Sequence, residues 1–210
     1  MEALACIKHD GEIVNRLSNL GLTRQELIRV VSKAVAARND AVDMDPLNAP
    51  GLLAYIYGTR ALREELCLKG WIKDRTNNVE FTVNPLTGVK LIYQNVDSAS
   101  KVSYTPRPLS KKGSATSQMV NDRQLSLPFM EEPELAECNP LIWFLCVSVS
   151  DSGKVRAELS CPAMINDGQF AQFYERIFII TDDDNIYSDN LLFTSDDVES
   201  DEIEINISRK

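Results

Sequence analysis

Histidine is nearly absent from this 210-residue chain, which has His9 alone. With no nucleophile beside it, that residue supports neither a histidine-based triad nor a general base. The five cysteines, Cys6, Cys67, Cys138, Cys146 and Cys161, form no C-x-x-C pair. With one histidine to join them they make no zinc site, and their odd number reads as reduced thiols of a cytoplasmic protein. No G-x-x-x-x-G-K-[ST] or G-x-G-x-x-G string is there to cradle a phosphate. The longest apolar run, Leu141 to Val147, is too short to span a bilayer. The stretch MEALACIKHDGE lacks the basic start and apolar run of a signal peptide. These absences predict a chain without metal, cofactor or membrane association.

Positive charge is scarce in one place only. The net charge is -9, but residues 181 to 204 hold ten acidic residues and no basic one. Taking those ten from the 31 acidic residues leaves 21 against 22 basic ones, a net of +1 for the rest. The acidity therefore belongs to the C-terminal segment, and the body is free to touch nucleic acid.

Apolar spacing gives the outline of the fold. Residues 12 to 20 suggest a short helix ended by Gly21. Thr23 to Glu26 has the form of a capping box, and Leu27, Val30, Val31, Ala34 and Val35 then follow as one helical stripe to about Arg38. Arg29 and Lys33 fall on the opposite face. Helix, break and capped helix could form a helix-turn-helix offering Arg24, Arg29 and Lys33 to phosphates, but no base-reading cluster is evident, and a solvated face on an ordinary helical pair is the preferred reading. A third helix is expected from near Pro50 to Gly70, with an apolar face of Leu52, Tyr55, Ile56, Leu62 and Leu66. From Trp71 the period becomes two. Val79, Phe81 and Val83, then Val89, Leu91 and Tyr93, flank the turn residues Asn84 to Gly88 and predict a three-stranded meander.

Residues 96–138 break both patterns and read as a flexible linker or long loop. Beyond them Leu141 to Val149 is apolar throughout, as expected of a central strand buried on both faces. Val155 to Cys161 alternates like a half-exposed partner, and Phe170 to Ile180 fits helix or strand. Ile203, Ile205 and Ile207 suggest an acidic edge strand. The expected class is α+β: N-terminal helices and an antiparallel β-meander over 1–95, the linker, then a mainly antiparallel β segment over 139–210 with an acidic C-terminal part. The two folded segments are either separate or share one core.

One short string inside the linker has a specific binding mechanism. In Gln124-Leu125-Ser126-Leu127-Pro128-Phe129 the apolar residues are two apart, so an extended backbone projects Leu125, Leu127 and Phe129 to one side. Pro128 favours that conformation, and Gln124 can donate and accept at a pocket rim. The hexapeptide resembles the clamp-binding motif of bacterial replication and repair proteins, whose forms run QL-[S/D]-L-F or QL-x-L-x-[L/F]. The resemblance implies docking into the hydrophobic pocket of the DNA polymerase III β sliding clamp. Gln124 would be the polar anchor, Leu125 and Leu127 the central anchors and Phe129 the terminal one, with Ser126 and Pro128 as spacers. It covers six residues and implies no fold.

The expected function is therefore a replication- or defence-associated protein that docks on the clamp. DNA is a further expected partner, through Arg29, Lys33, Arg107, Lys111 and Lys112. No catalytic residue is assigned, and the chain reads as a binding protein more than an enzyme. A second reading is a clamp-recruited metal nuclease built on Glu80 with Lys90, or on Glu158 with Asp151 and Lys154. A third is an inhibitor whose acidic segment, Asp182 to Glu204, occupies a basic surface on a partner. Asp182 to Asn185 lacks the glycine and closing glutamate of a calcium loop and reads as a solvated acidic turn.

Overall fold

The computed structural model describes residues 5–126, 142–182 and 184. In chain order the elements are β1 (Ala5–Ile7), α1 (Asp10–Asn19), α2 (Arg24–Asn39), α3 (Ala49–Cys67), β2 (Ile72–Thr76), β3 (Val79–Val83), β4 (Lys90–Asn95), α4 (Ser114–Ser126), β5 (Ile142–Val149), β6 (Val155–Asn166) and β7 (Gln169–Ile180). The class is α+β. The described strands form one mixed sheet of seven, ordered β1-β7-β6-β5-β4-β3-β2.

The helices form for the reasons their sequences supply. Gly21 takes a φ of 73°, open to glycine, and Leu22 donates its N–H back to the Leu17 carbonyl at 2.9 Å, closing α1. Two residues on, the Thr23 hydroxyl accepts from the Glu26 N–H at 3.2 Å while the Glu26 carboxylate accepts from the Thr23 N–H at 2.8 Å. This is the reciprocal capping box, and it starts α2. The α2 stripe Leu27, Val30, Val31, Ala34 and Val35 is buried.

The face of α3 differs from the expected one. Leu62 and Leu66 are buried, but Leu52, Tyr55 and Ile56 are exposed, and the other packed residues are Ala54, Gly58 and Ala61. At Gly58 the Tyr93 ring of β4 lies so close that no side chain fits.

Alternation of side chains along the central strands feeds two apolar layers. On one face Leu91, Tyr93, Trp143, Leu145, Leu159 and Ile177 pack under α1, α2 and α3. On the other, Ile92, Phe144, Cys146, Ile165, Phe170 and Phe173 pack with Val96, Ala99 and the α4 residues Met119 and Val120. β5 stands at the middle of the sheet and is buried on both faces, as its composition predicts.

Two further expectations are corrected. The stretch 96–126, read as part of a linker, holds a bridge between Val96 and Pro108 and the helix α4, with Thr116 and Val120 buried against the sheet. Its few apolar residues are enough because loop and helix together cover one face. For the same reason β6 is not half-exposed: its polar residues Glu158 and Ser160 are fully buried beneath that layer. The segments on either side of the linker share one sheet, joined by the parallel pair β4–β5 from Lys90↔Ile142 to Asn95↔Val147. Residues 5–7, near His9, are a strand parallel to β7. The expected strand at 203–207 lies outside the described residues. No helix among the described residues is long and apolar enough to cross a membrane.

Candidate functional site

The hexapeptide begins on the last turn of α4. That helix is pinned three residues earlier, where the Asn121 side chain pairs with the β6 backbone as another strand would. Its Nδ2 donates to the Ile165 carbonyl at 3.0 Å and its Oδ1 accepts from the Ile165 N–H at 2.9 Å. Gln124, Leu125 and Ser126 are helical, not extended as the alternating pattern suggests. Leu127, Pro128 and Phe129 lie outside the described residues.

The basic residues chosen from the sequence divide sharply. Arg29 holds Glu65 at 2.7 Å and Lys33 reaches Glu64 at 3.2 Å, so their charge is spent joining α2 to α3. Arg24 donates to the Ile179 carbonyl at 2.8 Å and pairs with Asp184 at 2.8 Å. This intramolecular pairing supports the ordinary helical pair over a DNA-reading one. Lys111 meets the exposed Asp167 at 2.7 Å. Arg107 is exposed and has no ion pair among the described residues.

Glu80 and Glu158, two of the carboxylates considered for metal chemistry, are also committed. Glu80 pairs with Arg63 at 2.6 Å and Arg75 at 3.4 Å, and Lys90 with Asp74 at 3.3 Å. Glu158 is buried against Arg176 at 2.7 Å. No cluster of three or more histidine, cysteine or acidic residues suited to a metal occurs among the described residues.

Lys112 stands apart. It lines an open cleft of about 620 Å³ where the C-terminal end of β4 meets α2, the start of α3 and the segment 109–112. The polar lining includes Arg38, Asn48, Gln94, Asn95 and Ser110, the apolar lining Leu47, Pro50, Leu52, Tyr55 and Leu109. No acidic residue lines it among the described residues. Its walls are tied together through Asn95, whose Nδ2 donates to the Gly51 carbonyl at 2.8 Å and whose own carbonyl accepts from the Leu109 N–H at 3.0 Å.

Backbone geometry puts Lys112 there. Asp167 and Gly168 both have positive φ, 48° and 72°, and turn the chain tightly from β6 into β7. The Gly168 carbonyl accepts from the Lys112 N–H at 2.9 Å, and a Cβ on Gly168 would come within 2.9 Å of the Lys112 carbonyl. The ammonium donates to Gln94 Oε1 and lies 5.7 Å from the centre of the Phe144 ring. Burial without a carboxylate partner pushes its pKa down to about 8. Arg38, on the last turn of α2, has no ion pair among the described residues either.

Comparison with known proteins gives no relative. No family model, curated protein or solved structure matches the chain. The site must therefore be read from its own chemistry.

Two cations facing one cleft can fix an anion, and amide and hydroxyl groups beside them can orient what it carries. Of the five basic residues picked from the sequence, only Lys112 belongs to this cleft. Arg38 and Gln94 were missed. The string Asn166-Asp167-Gly168-Gln169 was a legible hairpin signal, and would have settled β7 as a strand, but nothing local connects that turn to Lys112 or to Arg38.

Proposed function

We propose that this protein docks on the bacterial DNA polymerase III β sliding clamp through Gln124 to Phe129. The observation that carries this reading is the string itself, in which glutamine, two leucines and phenylalanine have the spacing of that motif. Two further facts support it. The string starts on the last turn of α4, after the buried residues Thr116 and Val120 and the bonded Asn121. The committed pairing of Glu80 and Glu158 with arginines also favours a binding role over a metal nuclease.

Docking of this kind lays an extended peptide into an apolar groove. Gln124, Leu125 and Ser126 would leave the last helical turn to do so. Helix ends are the least costly part to unwind, because their terminal carbonyls have no partner within the helix. The α+β body would then act near the replication fork in the bacterial cytoplasm, in replication or in antiviral defence, with DNA as a second partner.

Isothermal titration of the whole chain with purified β clamp tests the reading, beside a Leu127→Ala/Phe129→Ala variant. Saturable binding by the native chain and at least tenfold weaker binding by the variant are expected. Equal binding by the two, or none by either, overturns it.

A further inference from the structure

The cleft at the end of β4 has charge, shape and rigidity that clamp docking does not use. We propose that it binds a phosphate monoester of nucleotide size, with Lys112 and Arg38 as the phosphate-holding residues. The inference is independent of the clamp reading.

Charge comes first. Lys112 and Arg38 both line the cleft, and among the described residues the lining holds no carboxylate and neither cation has an ion pair. Other part-buried cations have close counter-charges, as with Arg16 and Glu175 at 2.6 Å or Arg156 and Asp182 at 2.7 Å. Desolvating a cation without a counter-charge is costly, and a bound anion offsets that cost. Gln94 Oε1 uses one of the three donors of Lys112, which leaves two for a ligand. Arg38 can add a two-point contact, a geometry that suits phosphate oxygens.

Shape narrows the class. About 620 Å³ is far more than inorganic phosphate needs and lies within the range of pockets for small organic ligands. The apolar wall contains Tyr55, a ring on which a planar group can lie, and Leu52, both exposed on α3. Asn48 and Ser110 supply hydrogen bonds along the rim. A phosphate joined to a planar, partly polar body matches all three features. A nucleoside 5′-monophosphate is such a molecule, and so is the terminal nucleotide of a 5′-phosphorylated DNA strand.

Rigidity makes the site a built one. The Lys112 backbone is fixed to Gly168, and Gln94 donates through Nε2 to the Asn95 carbonyl at 2.7 Å. Little ordering is left to be done on binding.

The test uses the full chain and four probes in calorimetric titration: a nucleoside 5′-monophosphate, the same nucleoside, and a short DNA strand with either a 5′-phosphate or a 5′-hydroxyl. The monophosphate or the phosphorylated strand should bind at least tenfold more tightly than its unphosphorylated counterpart. Binding of the monophosphate assigns the free nucleotide as ligand; binding of the phosphorylated strand alone assigns the strand end. Lys112→Met and Arg38→Gln, each checked for an intact melting transition, should weaken that binding at least tenfold. Absence of binding by both phosphorylated probes, equal binding of phosphorylated and unphosphorylated forms, or native affinity in both folded variants overturns the proposal.

Discussion

Glu158 on β6 and Arg176 on β7 form a two-point ion pair inside the protein, with Nε to Oε1 at 2.8 Å and Nη2 to Oε2 at 2.7 Å. Their side chains are 0% and 4% exposed. The Ser160 hydroxyl donates to the same carboxylate at 2.6 Å and the Ser100 N–H at 2.5 Å, while the guanidinium lies 5.4 Å from the ring centres of both Phe173 and Phe178. Every oxygen of Glu158 is thus satisfied, which is the condition under which a buried charge is tolerable. Arg176→Met would leave the carboxylate buried and alone. We expect a loss of about 3–5 kcal/mol, and partial recovery when Glu158→Leu is added. Urea unfolding of the two variants beside the native chain measures both. A single variant within about 1 kcal/mol of native stability would contradict the structural role.

Gly58 is the closest approach of α3 to the sheet. A Cβ there would fall 2.5 Å from two carbons of the Tyr93 ring, which is itself fully buried and has little room to move. In an exposed helix Gly→Ala gains about 1 kcal/mol from propensity. Here overpacking reverses the sign, and Gly58→Ala is expected to destabilise by about 1–3 kcal/mol. Thermal unfolding decides between them, since a raised midpoint would mean that Tyr93 yields.

Lys112 makes stability depend on pH in a definite direction. Its pKa falls from an ordinary 10.5 to about 8 on folding, chiefly by desolvation. The groups around it are Gln94 from β4, Phe144 and the buried Cys146 from β5, and the backbone of Gly168. Below about pH 8 the lysine is charged in both states, and the folded state bears the full penalty. Above about 10.5 it is neutral in both, and the penalty vanishes. Stability relative to Lys112→Met should therefore be lowest at neutral pH and rise between those limits. Cys146, whose thiol burial pushes up, is coupled to Lys112, whose charge acts the other way, so the comparison is repeated in a Cys146→Ala background. Chemical denaturation of the pair from pH 7 to 10.5 checks this; a constant difference would place the ammonium in water.

Local patterns made much of the scaffold legible. Thr23 and Glu26 mark the start of α2, Gly21 the end of α1, and the unbroken apolar run from Leu141 the central strand, because each depends on neighbours within a few residues. The α3 stripe was only half legible, since spacing cannot tell that the Tyr93 ring fills the space at Gly58 or that Leu52, Tyr55 and Ile56 stay exposed. α4 has almost no amphipathic signal, and its position depends on Asn121 meeting Ile165. Glu158 and Ser160 read as solvent-facing by alternation and are buried because a loop from 96 to 113 covers them.

For function the division is similar. The sequence by itself determined the spacing of Gln124 to Phe129, the concentration of acidic residues after Thr181 and the helix signals of the first 70 residues, all properties of adjacent positions. Tertiary structure alone decided that β4 runs parallel to β5, that Arg29 and Lys33 are neutralised by Glu64 and Glu65, and that Arg38 and Lys112 line one cleft. The physical reason is range. Backbone capping and apolar periodicity act over a few residues, whereas a charge gains or loses its function according to which distant side chain the packed sheet brings beside it.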